Sequence, residues 1–174
     1  MNRLDELVST SRKVPAHILT DVMGNQTSTR GEPGSILIVT YSGREGASVL
    51  KQWMESSTRK VAADNPDVPL NFLSFADVRG VPKILRRAIR PVLVAAHNKS
   101  ELQADAIYGG RKPRHHLIAD WTGAHRELFG LEGEPPYHCL VIYQGRIIAV
   151  FDEPTEERSR QFVALIGELS DALN

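Results

Sequence analysis

Thiol is nearly absent from this chain, whose 174 residues include one cysteine, Cys139. A single thiol excludes an intrachain disulfide framework, a Cys-x-x-Cys redox pair and a Cys-rich zinc site. An excess of one charge is also missing. Lys plus Arg number 21 and Asp plus Glu number 21, so no global field draws the chain to nucleic acid or to an anionic membrane. No apolar run approaches the roughly 18–20 residues that span a bilayer. Residues 1–13 are polar and charged, without the apolar stretch at the centre of a secretory signal. These absences point to a soluble cytoplasmic globular protein. A short N-terminal segment (1–14) precedes a single domain (15–174), long enough to bury a sizeable core.

What is present is a clear alternation of periodicities. Residues 2–13 can form a short helix with Leu4, Leu7 and Val8 on one side. Two β-leaning pieces, Ile18 to Val22 and Thr27 to Thr29, flank Met23-Gly24-Asn25-Gln26 and read as a hairpin. Ser35 to Tyr41 is a short β-branched apolar run, the mark of a strand covered on both faces. After a Gly-containing loop, Ala47, Leu50, Trp53, Met54 and Val61 recur at helical spacing. Val68 to Phe75 is a second strand. Val81, Ile84, Leu85, Ala88, Ile89 and Val92 share one face of a second helix, opposite Lys83, Arg86, Arg87 and Arg90. Pro91 is expected to kink or interrupt that helix. Residues 98–114 carry Asn, Gly-Gly and Lys-Pro and read mostly as loop.

His116 to Asp120 forms a third central strand, followed by a short helix stopped at Gly130. Tyr137 to Tyr143 and Arg146 to Phe151 flank Gln144-Gly145 as a β-hairpin. A final amphipathic helix starts at Pro154 and repeats apolar residues at Phe162, Leu165, Ile166, Leu169 and Leu173. Strands separated by helices require parallel crossovers, and the closing hairpin adds an antiparallel edge. The expected fold is therefore α/β, a mixed sheet with helices on both faces.

Chemistry-bearing clusters are few. His115, His116, His125 and His138 fall in the last third, but adjacent residues on a strand point to opposite faces, and no helical ligand spacing joins them, so no metal is expected. The basic face of the second helix and Arg111-Lys112-Pro113-Arg114 lack aromatic interleaving and read as solvated surface rather than a nucleic-acid site. Gly43 and Gly46 lack the Gly-Lys-Ser/Thr ending of a phosphate loop. Trp53 and Trp121 read as packing residues. Ser42 and Ser48 are both available to cap the first long helix.

Several phrases, in order, resemble the thioredoxin-like superfamily, in particular its peroxiredoxin and thiol-reductase (redoxin) branch. Pro15 followed by Ile18-Leu19-Thr20-Asp21-Val22-Met23-Gly24 is similar to that branch's opening hairpin. Ser35 to Tyr41 is similar to the strand leading to its active-site loop. Asp120-Trp121-Thr122-Gly123 with Leu128-Phe129-Gly130-Leu131, and Glu134-Pro135-Pro136 before the last hairpin, resemble the stretches around its cis-proline. The resemblance implies a thioredoxin-like three-layer sandwich with an N-terminal β-hairpin extension, and a cis-proline at Pro136.

The active-site loop departs from that pattern. It reads Thr40-Tyr41-Ser42-Gly43-Arg44-Glu45-Gly46-Ala47-Ser48, so that Glu45 and Ser48 take approximately the two cysteine positions. The family chemistry needs a thiolate at the helix N-terminus, and a carboxylate or an unactivated hydroxyl does not replace it. The expectation is a redox-inactive protein-binding or assembly module that needs no cofactor. By the resemblance, its peptide groove involves Tyr41, Arg44, Glu45, Ser48, Pro135, Pro136 and Tyr137. Expected partners are a protein, a peptide or a second copy of the chain, not nucleic acid or membrane. The alternative is a divergent peroxidase or thiol-disulfide oxidoreductase using Cys139.

Overall fold

A computed structural model describes residues 3–109, 113–131 and 137–173. In chain order the elements are α1 (Arg3–Thr10), β1 (Arg12–Lys13), β2 (Ile18–Thr20), β3 (Gln26–Ser28), β4 (Ile36–Ser42), α2 (Ala47–Asp64) and β5 (Leu70–Asp77). A 3-10 turn at Lys83–Leu85 leads into α3 (Arg86–Tyr108). Then come β6 (Arg114–Asp120), α4 (Ala124–Leu128), β7 (Tyr137–Tyr143), β8 (Arg146–Phe151) and α5 (Glu156–Asp171).

Six strands form one mixed sheet in the order β1-β8-β7-β4-β5-β6, and β2 pairs with β3 in a separate hairpin. β4, β5 and β6 run parallel, joined by α2 and α3, whereas β7 is antiparallel to β4 and to β8. Two successive crossovers in one direction put α2 and α3 on the same face. All seven residues of β7 are buried, as are most of β4, which explains why these segments read as unbroken apolar runs.

The alternation of side chains along the strands builds two cores. One face carries Ile36, Ile38, Cys139 and Val141 against Leu50, Trp53 and Val61 of α2 and Phe162, Ile166 and Leu169 of α5; Leu4 of α1 joins them. The other carries Leu37, Val39, Tyr41, Phe75, Leu140 and Ile142 against Phe129 and Leu131 beyond α4, with Leu19 of the hairpin and Val14. Helices therefore lie on both faces, as expected. β1 extends the sheet through Arg12↔Ile147 and Lys13↔Arg146.

Several local readings are corrected. Residues 98–108 are helical, not loop: α3 runs to Tyr108 and stops at Gly109, whose φ of 62° suits glycine. Leu102, Ala104, Ala106 and Ile107 favour helix, and nothing before the glycines breaks it. Pro91 lies inside α3, which continues through it. The buried residues of α3 are Leu93 and His97, one turn apart, while Ile84, Leu85 and Val92 are exposed. Neither Ser42 nor Ser48 caps α2; Gly46 stands at the N-cap without a side-chain bond. α5 begins at Glu156, not Pro154, because the Thr155 hydroxyl accepts from the Arg158 amide at 3.1 Å.

Candidate functional site

In open α/β sheets, sites form beyond the carboxyl ends of the parallel strands. Here that end is built by residues 43–46 after β4, 78–82 after β5 and 121–123 after β6. The first loop turns directly into α2: the Ala47 amide donates to the Gly43 carbonyl at 3.1 Å and that of Leu50 to Gly46 at 3.0 Å. Gly46 is buried, while Arg44, Glu45 and Ser48 are exposed around it.

Beneath the loops lies a buried carboxylate that the sequence showed only as part of a phrase. Asp120, with 0% exposure, accepts from the Tyr41 hydroxyl at 3.0 Å and from the Gly123 and Thr122 amides at 2.8 and 3.3 Å. His125 Nδ1 is 3.2 Å from the same carboxylate. Burial alone would raise the Asp120 pKa, but the amides and the Tyr41 hydroxyl outweigh it and hold the carboxyl below its usual range. The Tyr41 phenol is pushed well up, by burial first and by Asp120 second. Asp120 thus orders the 121–123 turn and anchors β4 to β6. The Tyr41 hydroxyl and the two amides occupy its oxygens, and the carboxylate is closed to solvent. Nearby, the Arg79 guanidinium grips both Asp77 oxygens, at 2.9 and 2.7 Å, and lowers that carboxyl. Gly123, at φ 86°, leaves room for Arg79; a Cβ there would come within 2.9 Å of Arg79 Cδ.

The groove residues named from the sequence separate by burial. Tyr41 and Tyr137 are 3% and 7% exposed and face opposite sides of the sheet. Tyr137 pairs with Ser42 on the last rung of the β4–β7 ladder, at the start of the loop. Arg44, Glu45 and Ser48 are at the surface. Pro135 and Pro136, and with them the cis-proline expectation, lie outside the described residues.

Cys139 sits opposite Thr40 in the ladder with 0% exposure, and its sulfur meets Met54 Sδ at 3.6 Å. Burial pushes the thiol pKa up, away from the thiolate that redox chemistry needs. This environment argues against the Cys139-dependent enzyme. The histidines disperse as the strand argument requires. His115 stacks on His97 on one face of the sheet, and His116 bonds Asp21 at 2.8 Å on the other. Among the described residues no group of three His, Cys, Asp or Glu side chains could hold a metal ion. Trp53 is core, donating to the Thr155 carbonyl at 3.1 Å, and Arg86 lies over Trp121 at 4.9 Å.

No family model and no curated protein matches the chain. Solved structures do. A secreted thiol-disulfide isomerase from Corynebacterium glutamicum superposes with a TM-score of 0.63 at 14% identity, over 94% of this chain and 88% of that one. The fold is thioredoxin-like. The exposed lipoprotein thioredoxin Etrx1 from Streptococcus pneumoniae gives a TM-score of 0.57 at 12% identity, over 88% and 99% of the two chains. BsSco, a member of the Sco family of cytochrome c oxidase assembly proteins, gives 0.58 at 9% identity, over 93% and 95%. This thioredoxin-like chain lacks the paired active-site cysteines: residues 40–48 hold no sulfur, and its one cysteine is in the core.

Proposed function

We propose that this thioredoxin-like chain is a redox-inactive protein-binding or assembly module. The observation that carries the reading is the exchange of chemistry at the start of α2. Glu45 and Ser48 are exposed where thiols would be needed, and the only thiol, Cys139, has 0% exposure. Without a thiolate there is no nucleophile for a disulfide or a peroxide. The surface that remains, Arg44, Glu45 and Ser48 beside the β4–β7 ladder end, offers charge and hydrogen bonds of both signs to an extended segment of a protein partner. An assembly role is in keeping with the structural likeness to BsSco, a member of a family of assembly proteins. No described helix is long and apolar enough to cross a membrane, and a cytoplasmic location forms part of the proposal.

The test has two arms. Insulin reduction and hydroperoxide consumption are measured for the wild type and Cys139→Ser, with neither expected to turn over substrate above background. Photo-crosslinking from position 48, with mass-spectrometric identification and purified partner, should give a complex weakened at least tenfold by Arg44→Ala/Glu45→Ala. Turnover lost in Cys139→Ser overturns the proposal, as does partner binding indifferent to the double substitution. Crosslinks only between copies of the chain would make the surface a homodimer interface instead and overturn the module reading.

A further inference from the structure

α2 and α3 cross the same face of the sheet without closing over it. Between them is a cavity of about 360 Å³, walled by Leu50 and Met54 of α2 and by Leu93, Ala96, Ala104 and Ile107 of α3. Two alanines on α3 face space that larger side chains would fill. The volume falls within the range of small-molecule sites, about 300–1,000 Å³. As a result Thr40, Phe72 and Ser74, central in the sheet, are only half-buried.

The floor is not apolar. Thr40, Ser74 and His115, on the adjacent strands β4, β5 and β6, form a line of hydrogen bonds. The Thr40 hydroxyl donates to Ser74 Oγ at 2.8 Å, and Ser74 Oγ lies 3.0 Å from His115 Nε2. Burial beneath α3, together with the neighbouring His97, holds the His115 pKa down to about 4, so the ring is neutral at pH 7. Its Nδ1 is buried with no hydrogen-bond partner. An unpaired buried N–H costs more than an unpaired acceptor, which favours the tautomer with the proton on Nε2. Ser74 then accepts from both Thr40 and His115, and its own hydroxyl hydrogen finds no partner within the line. The two charged residues beside the cavity, Lys51 and Glu55, have opposite signs, and Glu55 already pairs with Arg59 at 2.8 Å. Nothing here selects a charged guest.

We infer that the cavity between α2 and α3 binds an uncharged, largely apolar organic molecule whose one polar group is a hydrogen-bond acceptor, received by the Ser74 hydroxyl. This site is separate from the surface of Arg44 and Glu45, and it stands or falls independently of the partner-binding reading.

Isothermal titration of the full chain with 2-acetylnaphthalene and with 2-ethylnaphthalene tests both parts of the inference. The two differ only in a carbonyl group in place of a methylene. The ketone is expected to bind about three- to tenfold more tightly than the hydrocarbon, consistent with one buried hydrogen bond between neutral groups. Ser74→Ala should remove that difference while hydrocarbon binding persists. Ala104→Phe, which fills the cavity, should abolish binding of both while the protein still unfolds cooperatively at or above the wild-type temperature. Failure of the wild type to bind either compound overturns the inference, as does binding that survives a folded Ala104→Phe variant. Should Ser74→Ala not fold, Ser74→Thr, which keeps the hydroxyl, must keep the preference for the ketone; loss of the preference there also overturns it.

Discussion

The Tyr41 hydroxyl donates to the Asp120 carboxylate across 79 residues of sequence, and both groups are buried at the end of the parallel strands. This one bond ties the central strand β4 to the edge strand β6 directly beneath the loop that departs from thiol chemistry. Tyr41→Phe removes a donor from a buried charge, which costs about 1.5–3 kcal/mol when the bond is to an ionised group. Urea unfolding at pH 7 should register that loss. The pH dependence has a definite sign. Asp120 is held below its ordinary pKa in the fold, so its contribution is present above the unfolded value and is lost as pH falls through the folded one. Tyr41→Phe should therefore reduce stability most at neutral pH and flatten the acid limb below about pH 4.

His115 acts in a higher window. Its folded pKa is held down to about 4, first by burial and then by His97, against 6.5 unfolded. Between those values the unfolded chain takes up a proton that the native state refuses, so stability falls as pH drops from 6.5 towards 4. At about 1.36 kcal/mol per unit, the loss amounts to at most about 3 kcal/mol. His115→Gln, which cannot titrate and can still reach Ser74, should shrink the difference in unfolding free energy between pH 7 and pH 4.5. An unchanged difference would locate the acid sensitivity elsewhere.

The fold was legible because its strands and helices carry their own periods. β7 and β8 fall at Tyr137–Tyr143 and Arg146–Phe151, where the apolar runs and the Gln144-Gly145 turn put them. α3 was misjudged for a physical reason. Its inner face meets a cavity over residues 93–108, where Leu93 and His97 alone are buried, and of the apolar residues that suggested a core face Ile84, Leu85 and Val92 are exposed while Val81 and Ile89 are half-buried. A helix that does not close over its sheet cannot be read from amphipathicity. The Tyr41–Asp120 and Asp21–His116 bonds are contacts between distant strands and loops, and no local spacing announces them. The missing active-site thiols were the opposite case: residue types in one loop, visible without any structure.

Cys139 offers a direct check on inertness. With 0% exposure and a neighbouring methionine sulfur, it should not react with a thiol reagent in the native protein, and should react fully in denaturant. Cys139→Ala should cost about 1 kcal/mol or somewhat more through the small cavity it leaves. Cys139→Ser should cost more than Cys139→Ala, because its hydroxyl would enter the core beside Met54 Sδ, a weak acceptor. Rapid labelling of the native thiol would contradict the burial on which the proposed redox inactivity rests.

If sulfur is what the site lacks, supplying it should restore chemistry. Glu45 precedes the Gly46 N-cap of α2 and Ser48 lies in its first turn, both exposed. Thiols at these positions would meet the positive end of an 18-residue helix, which stabilises a thiolate. The double variant Glu45→Cys/Ser48→Cys should form a reversible disulfide and accelerate insulin reduction by dithiothreitol, where the wild type does not. Its first thiol should titrate below the free-cysteine value of about 8.5. A variant that folds and forms the disulfide, yet leaves insulin reduction at background, would show that the surroundings of the loop have also lost the capacity for exchange. The missing thiols would then be one part of a wider change at the start of α2.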